Sequence, residues 1–368
     1  MIRILHIVGS LERAGAETFL MNLYRNIDRN RIQFDFAIYR EPTPNSYYEE
    51  ALSLGAKVYK ISPKAEGVVK NLKEVKNIVK ENRYEIVWRH VDNCFAGIDL
   101  LAAKCAGAKR LILHAHNSNV NGKIRILHFL SKPCVNMFIT DRFACGKAAG
   151  RWLFGNRKFK ILNNGIDTER FRFNETIRRE YREKYGISDE LVIGHVGRFC
   201  EVKNHIFIIN LFHELSKNNS WGKKALLVLA GTGEKESEIK DQVSQYGLDD
   251  KVLFLGNRSD VAELMQMMDV FIMPSFYEGF PVTLLEAQTS GLPCVVSDAI
   301  SREVDITGNV EFLCLDAGME VWENAVRKLS ENKREEKAGM IEKAGYDIRN
   351  VAKWVEDFGD LLARRNQI

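Results

Sequence analysis

The feature that most constrains the fold is an alternation of short β-rich runs with helical patterns. In the first half of the chain, strands are predicted over residues 2–8, 33–39, 56–61, 85–91, 110–116 and 142–145. Between them lie helical stretches such as residues 68–80, where apolar residues recur at spacings of three and four. This alternation predicts a parallel sheet that is covered by helices on both faces.

The second half of the chain repeats the alternation, with strands predicted over residues 191–196, 225–230, 252–255, 270–273, 294–297 and 311–315. Because 368 residues exceed what one ordinary core holds, we predict two domains, 1–169 and 170–350. The fold class is therefore α/β, with two doubly wound Rossmann-like domains that face a cleft between them. Residues 351–368 have the apolar spacing of an amphipathic helix.

The charge of the chain is uneven, although its net value is only +4. Residues 1–168 hold 27 Lys and Arg against 15 Asp and Glu, whereas the remainder holds 26 against 34. This asymmetry indicates that the first half meets an anionic surface. Because no nucleic-acid-binding motif accompanies the charge, a membrane with anionic headgroups fits better than nucleic acid. No apolar run is long enough for a transmembrane helix.

The most specific motif covers residues 274–287, directly after a predicted strand. It opens a helix in which Pro281 suits the first position, and amides at a helix start bind phosphate. Gly279 lets the backbone approach a ligand closely. Glu278 precedes the helix and Glu286 lies about one turn inside it. One carboxylate could accept hydrogen bonds from sugar hydroxyls and the other from a ribose diol.

A second motif, residues 197–204, follows the first predicted strand of the second half. It contains Gly197 and two cations, Arg198 and Lys203. A forked guanidinium and an ammonium at the end of a strand could clamp a diphosphate.

Three further loops carry weaker signals. Gly15 opens a predicted helix after the first strand, a placement that suits phosphate. Gly231 lies in a loop after a strand, and the segment with Asn257 and Arg258 could form a base pocket. The last two loops could equally be ordinary turns between a strand and a helix.

Two histidines, His114 and His116, lie at the end of a predicted first-domain strand and face the same side. Their spacing suggests a metal site, but no third ligand occurs at a typical spacing. The seven cysteines include no C-x-x-C pair and are predicted to be reduced thiols. A single histidine that reaches a ligand is therefore favoured over a metal site.

Together these motifs resemble the retaining glycosyltransferases of family 4, which have the GT-B fold. The resemblance spans nearly the whole chain and is strongest to bacterial capsular and exopolysaccharide glycosyltransferases. It implies that Glu278 contacts the transferred sugar, Glu286 holds the ribose, and His116, more than His114, lies near the sugar's reacting end. Arg198 and Lys203 would neutralise the diphosphate. Donor-binding residues would further include Gly15, Gly197, Gly231, Asn257, Arg258, Gly279, Phe280, Pro281, Val282 and Thr283. One departure is Ala14, where the family often has a glycine.

The resemblance implies transfer of a hexose or N-acetylhexosamine, with retention of configuration, from a nucleotide sugar. UDP is favoured over GDP, and the acceptor would be a saccharide or a polyprenyl-linked saccharide. No metal or other cofactor is expected, because the cations neutralise the leaving group. We expect a cytoplasmic protein bound peripherally to the inner face of the bacterial membrane. The surfaces predicted to dock there are residues 121–132 and a basic helix with Lys70, Lys73, Lys76, Lys80 and Arg83.

Two alternatives stay open at this point. One is a GT-B protein that binds a nucleotide sugar as a partner subunit without transfer activity. The other is a GT-B epimerase that acts on the same kind of ligand. A nicotinamide dehydrogenase is poorly supported, because no complete G-x-G-x-x-G opens a helix.

Overall fold

A computed structural model describes residues 1–44, 46–120, 122–217 and 224–365, with side chains described up to residue 359. The chain divides into two compact units. Unit 1 comprises Met1–Gly165 and Gly345–Ile368, and unit 2 comprises Ile166–Ala344. The boundaries predicted from the sequence, residues 170 and 351, lie four and six residues further along the chain.

Unit 1 contains a parallel sheet with the order β3-β2-β1-β4-β5-β6-β7. Its strands are β1 (Ile2–Val8), β2 (Ile32–Ile38), β3 (Val58–Lys60), β4 (Ile86–Val91), β5 (Arg110–Ala115), β6 (Asp141–Ala144) and β7 (Lys160–Ile161). The sequence did not predict β7, because two residues at a sheet edge leave no periodic signal. The strand order reverses between β1 and β4, so their carboxyl ends flank a switch point, where such sheets bind ligands.

Helices connect these strands and cover the sheet. They are α1 (Gly15–Asn26), α2 (Tyr48–Ser53), α3 (Val68–Asn82), α4 (Asp99–Cys105), α5 (Lys123–Phe138) and α6 (Lys147–Phe154). The strands β2 and β4 are buried along their whole length, as expected for a sheet that is covered on both faces.

Unit 2 contains a second parallel sheet with the order β10-β9-β8-β11-β12-β13. Its strands are β8 (Leu191–Val196), β9 (Ala225–Ala230), β10 (Val252–Gly256), β11 (Val270–Met273), β12 (Cys294–Ser297) and β13 (Val310–Leu313). Its helices are α7 (Thr168–Phe171), α8 (Glu175–Lys184), α9 (His205–Lys217), α10 (Glu236–Gln245), α11 (Val261–Met267), α12 (Val282–Thr289), α13 (Met319–Ser330) and α14 (Ala338–Lys343). The switch point of this sheet lies between β8 and β11.

The last helix, α15 (Ile348–Arg365), packs into the core of unit 1. Its buried apolar residues recur at spacings of three and four, and they include Ile348, Val355 and Phe358. A Cβ atom at Gly165 would lie 3.0 Å from the Cα of Ile348, so a glycine is needed where the first segment of unit 1 ends. Within the described residues, no helix is long and apolar enough to cross a membrane.

Candidate functional site

Two loops flank the switch point of unit 2: residues 197–204 after β8 and residues 274–281 after β11. Hydrogen bonds tie them together: the Phe276 amide donates to the Val202 carbonyl (2.9 Å), and Asn204 Nδ2 donates to the Pro274 carbonyl (3.2 Å). These contacts fix the backbone on both sides of the switch point. The two motifs that the sequence singled out therefore meet at the carboxyl edge of one sheet.

Lys203 and Glu278 form an ion pair across this switch point. Lys203 Nζ donates to Glu278 Oε1 at 2.6 Å, and the two side chains are 17% and 14% exposed. The pair is thus largely screened from water, yet both groups border the edge where a ligand binds such sheets. A phosphate that approached Lys203 would compete with Glu278 for the ammonium.

Arg198 lies in the same loop as Lys203 but pairs with a different partner. Its Nη2 donates to Glu234 Oε2 at 2.9 Å, and the two side chains are 64% and 55% exposed. Exposed ion pairs of this kind contribute little free energy. The guanidinium can therefore exchange its partner for an anionic ligand at small cost.

The glycines of these loops allow backbone segments to pack closely. Gly231 adopts φ +143°, and a Cβ atom there would lie 1.9 Å from the carbonyl oxygen of Gly197. At Gly197 a Cβ atom would lie 2.9 Å from Nε2 of His195. The structure thus gives Gly231 a packing role between the loops after β8 and β9, whatever it does for a ligand.

The helix α12 begins one residue later than the sequence predicted. Pro281, expected at the first helical position, is the N-cap residue, with φ −71° and ψ 112°. Its carbonyl accepts hydrogen bonds from the amides of Leu284 and Leu285. The amides of Val282 and Thr283 lie in the first turn, where a helix offers no intrahelical acceptor. These two amides could bind a ligand, which stays a prediction, and the proline positions them.

Glu286 lies inside α12 and is 7% exposed. Burial raises the pKa of its carboxyl group to about 7, and the charge of Arg170 opposes that shift. Among the described residues, its carboxylate has no hydrogen-bond or ion-pair partner. A buried carboxylate without a partner is suited to accept hydrogen bonds from a ligand such as a diol.

The remaining residues predicted for unit 2 are placed less favourably for a ligand. Arg258 forms a bidentate ion pair with Asp260, with distances of 2.7 and 2.6 Å, and Tyr181 donates to the same carboxylate. The Arg258 hydrogen bonds lower the pKa of Asp260 to about 2. Asn257 is exposed, Gly279 half-buried and Phe280 buried. Arg258 is therefore engaged locally, and the predicted base pocket stays a prediction.

At the switch point of unit 1, buried histidines line the sheet. His6 (β1), His90 (β4) and His114 (β5) lie on adjacent strands, and His116 directly follows β5. His6 Nδ1 and His90 Nε2 are 3.0 Å apart, and His90 Nδ1 and His116 Nε2 are 2.8 Å apart. Burial lowers the pKa of His6 and His116 to about 3, so both are neutral at neutral pH.

The sequence singled out His114 and His116 but missed His6 and His90. No third ligand occurs at a typical spacing in the sequence, yet the structure places His6 and His90 beside this pair, because they come from other strands. A signal was available: His6 and His90 both lie near the carboxyl ends of predicted strands. Parallel pairing brings such positions together at one edge of the sheet.

Gly15, the predicted phosphate-loop glycine, is the first residue of α1. It is exposed, and a Cβ atom there would meet nothing within 4 Å. Ala14, the departure from the family pattern, is exposed as well and is the N-cap residue. Glu17 follows in the first turn, where burial raises the pKa of its carboxyl group to about 7.

Comparisons with known proteins agree with this architecture. The model of the family described as "Glycosyltransferase Family 4" matches residues 13–170, and that described as "Glycosyl transferases group 1" matches residues 177–347. The Bacillus subtilis (strain 168) protein named "Putative glycosyltransferase EpsF" is 39% identical over 363 residues, which cover 94% of this chain and 93% of that protein. This chain belongs to the glycosyltransferases of family 4. The family predicted from the sequence motifs is thereby confirmed.

A second relative of this glycosyltransferase is an Escherichia coli enzyme. It is named UDP-Gal:alpha-D-GlcNAc-diphosphoundecaprenol alpha-1,3-galactosyltransferase and is 27% identical over 246 residues, 62% of each chain. Among solved structures, Anabaena HepE in complex with UDP and glucose aligns with a TM-score of 0.79 at 17% identity, covering 97% of this chain and 99% of HepE. The glycosyltransferase WaaG aligns with a TM-score of 0.72 at 16% identity, covering 96% and 99%. These likenesses confirm the predicted GT-B fold.

Proposed function

We propose that this glycosyltransferase moves a hexose or N-acetylhexosamine from a UDP-sugar to a saccharide or polyprenyl-linked acceptor, with retention of configuration, in capsular or exopolysaccharide synthesis. The observation that carries the proposal is the Lys203–Glu278 ion pair at the switch point of unit 2. A UDP-sugar is supported by the UDP bound to HepE. A polyprenyl-linked acceptor is supported by the name of the Escherichia coli relative.

The proposed chemistry begins with cleavage of the bond between the anomeric carbon and the diphosphate oxygen. Negative charge then grows on the leaving diphosphate, where Lys203, Arg198 and the amides of Val282 and Thr283 would stabilise it. The acceptor oxygen would form the new bond on the same face of the sugar, and its proton would pass to the leaving diphosphate. Glu278 is not assigned as a covalent nucleophile.

The ion pair suggests how donor binding prepares the site. When a diphosphate oxygen replaces the Glu278 carboxylate on Lys203, that carboxylate becomes free to accept hydrogen bonds from the sugar hydroxyls. The exchange costs little because each ion keeps a partner of opposite charge or a hydrogen-bond donor. Glu286 would accept from the ribose diol, the backbone of Gly279 and Phe280 would lie beside the sugar, and neutral His116 would contact its reacting end.

A thermal-shift screen across UDP-, GDP- and ADP-sugars tests the donor assignment, because a ligand that binds only the folded state raises its stability. We expect the UDP-sugars to raise the melting temperature most, and Lys203→Ala to reduce that shift. A chain that none of these sugar nucleotides stabilises would contradict the proposal. A larger shift with GDP- or ADP-sugars than with UDP-sugars would contradict the assignment of the base.

Product analysis by NMR tests the reaction. We expect the anomeric configuration of the donor to be retained in the product. An inverted product would exclude retention. Donor binding without transfer to any acceptor would indicate a partner subunit, and a changed sugar in the absence of acceptor would indicate an epimerase.

For the acceptor side, we propose that α5 docks on an anionic membrane. Five of its exposed apolar residues share one helix face: Ile126, Phe129, Leu130, Pro133 and Met137. Leu130 and Met137 are 73% and 77% exposed. Lys123 and Arg125 are exposed at the start of the same helix. An apolar stripe beside exposed cations is typical of helices that lie in the interface of anionic membranes.

The basic face of α3 supports the same assignment, because Lys70, Lys73, Lys76 and Lys80 are all exposed. Flotation with anionic vesicles tests docking: we expect binding at low salt that weakens at high salt. Leu130→Glu should weaken binding by about tenfold or more, because the apolar contact is replaced by a charge that anionic lipids repel. Met340→Glu, a matched change at an exposed apolar residue of unit 2, should leave it unchanged. Equal binding to neutral vesicles would contradict the assignment.

A further inference from the structure

The histidine cluster of unit 1 (His6, His90, His114 and His116) contains one imidazole whose nitrogens are unsatisfied. His114 is fully buried, and its ring centroid lies 4.1 Å from that of His116. Among the described residues, neither of its ring nitrogens has a hydrogen-bond partner. Leaving buried polar atoms unpaired costs about 1–3 kcal/mol each. A nitrogen of His114 is therefore available to bind a ligand that enters the cluster.

We propose that His90, His114 and His116 bind a divalent transition-metal ion such as Zn²⁺. One nitrogen from each of the three side chains lies within 4.8 Å of the other two. Tetrahedral zinc with Zn–N distances of about 2.0–2.1 Å places its ligand nitrogens about 3.4 Å apart. His90 Nδ1 and His116 Nε2, now 2.8 Å apart, would separate slightly, while His114 would move inward. The proton that these two nitrogens share would then move to Nδ1 of His116, so that both imidazoles stay neutral.

His6 orients the central ligand of this site. Its Nδ1 lies 3.0 Å from His90 Nε2 and can accept a hydrogen bond from it. That bond places the proton of His90 on Nε2 and leaves Nδ1 with a free lone pair directed at His116 and the metal. A hydrogen bond of this kind to the remote nitrogen is what metal-binding histidines in proteins usually make.

The ligand set and its surroundings indicate the class of metal. Three imidazoles suit zinc, copper, nickel or cobalt, whereas magnesium and calcium require oxygen ligands. The nearby cation Arg89 pairs with Asp99, with Nε and Oδ2 3.1 Å apart, and Asp99 pairs with Lys64 as well. His116 is half-buried while His90 and His114 are buried, so the ion would reach the site past His116. A water molecule would complete the coordination there.

The site shares His116 with the proposed function, in which this residue contacts the sugar. The metal site itself does not depend on that assignment, because it is defined by three imidazoles within unit 1. We expect a bound metal ion to hold His116 and thereby to inhibit transfer. The test below measures binding alone, so its failure is distinguishable from failure of the transfer reaction.

Cobalt substitution tests the site in the metal-free full-length chain without donor. We expect Co²⁺ to produce the intense visible bands of tetrahedral coordination, saturating at one ion per chain, and Zn²⁺ to displace it. His114→Phe, which keeps an aromatic ring in the core, should abolish these bands, and so should His116→Gln at the half-buried position. His213→Phe, a change in unit 2 at a ring stacked on Tyr246, should leave them unchanged.

Circular dichroism melting of each variant shows whether it folds. Should His114→Phe unfold, His116→Gln alone decides the assignment. Weak octahedral bands, bands that persist in the folded histidine variants, or charge-transfer bands from cysteine thiolates would overturn it.

Discussion

The two units have the same strand order around their switch points but carry different side chains there. Unit 2 places the charged pair Lys203–Glu278 across its switch point, whereas unit 1 places three buried imidazoles and the half-buried His116 there. A doubly wound sheet therefore decides where a ligand meets the chain, because all its strands end at one edge. The side chains at that edge decide what it can bind. A charged edge suits a diphosphate, and a neutral imidazole edge suits a sugar hydroxyl or a metal ion.

The glycines at the two edges differ in the same way. Gly231 in unit 2 is required by the packing of the loops, since a side chain there would overlap the carbonyl oxygen of Gly197. Gly15 in unit 1 faces open space. Sequence patterning predicted both to serve a ligand, yet only Gly15 leaves room beside it. A glycine in a strand-to-helix loop can thus mark either close packing or ligand approach.

We expect the largest effect from a substitution at the charged edge of unit 2. Lys203→Ala should lower kcat/KM by about 10²–10³-fold, because the variant lacks the ammonium that would stabilise the leaving diphosphate. Steady-state transfer assays with a UDP-sugar measure it. Lys240→Ala, which removes an exposed lysine that pairs with Glu236 in the same unit, is the matched control and should leave kcat/KM unchanged. A loss of less than threefold in Lys203→Ala would remove this residue from the mechanism.

The next effect concerns the buried carboxyl group of Glu286, whose pKa lies near 7 in the folded chain against 4.5 in the unfolded chain. The neutral form stabilises the fold below pH 4.5, and this contribution is lost as the pH rises through 7. Glu286→Gln cannot ionise, so its unfolding free energy should gain about 3 kcal/mol relative to the wild type between pH 4.5 and pH 8. Urea unfolding of both proteins across this range measures the difference.

The same substitution should weaken donor binding, because an amide replaces the carboxylate that would hold the ribose. The carboxyl group of Glu17 in unit 1 also has a pKa near 7. Unfolding of Glu17→Gln across the same pH range tests whether its stability depends on pH in the same way. A stability difference for Glu286→Gln that does not vary with pH would mean that this carboxyl group titrates normally.

Alanine variants of Gly231 and Gly15 test whether the two glycines differ in this way. Gly231→Ala should lower the unfolding free energy by about 2 kcal/mol or more, since both its backbone conformation and its neighbour oppose a side chain. Gly15→Ala should keep or slightly raise stability, because alanine favours a helix start without a clash. Thermal unfolding measures both. If Gly15 serves the donor, Gly15→Ala should nevertheless raise KM for the UDP-sugar, and an unchanged KM would argue against that role.

We expect the smallest effect from a substitution at the neutral imidazole edge of unit 1. His116→Gln should lower kcat/KM by about fivefold in metal-free buffer, because a neutral hydrogen bond contributes about 1 kcal/mol. The loss should be clearly smaller than that of Lys203→Ala, which removes a charge. Transfer assays of the two variants side by side measure the ratio. Equal losses would show that charge is not what distinguishes the two edges.

Much of this fold could be predicted from the sequence, because hydrophobic periodicity is a local property of the chain. It marked the alternation of strands and helices in both halves and placed residues 197–204 and 274–287 directly after strands. Their position at one edge then followed from parallel pairing, without knowledge of any contact. The same reasoning missed β7, because two residues are too few to show a period. It also placed the start of α12 one residue too early, at Pro281, because helix ends depend on hydrogen bonds.

The choice of partners among these side chains depended on the folded chain. Lys203 pairs with Glu278, 75 residues away, whereas Arg258 pairs with Asp260, two residues away. His90 links His6 to His116 across three strands. Sequence patterning was enough to predict the two sheets, the edge at which such sheets bind ligands and the residue types placed there. Which of those side chains meet was decided by folding, because such contacts depend on distances between segments that lie far apart in the chain.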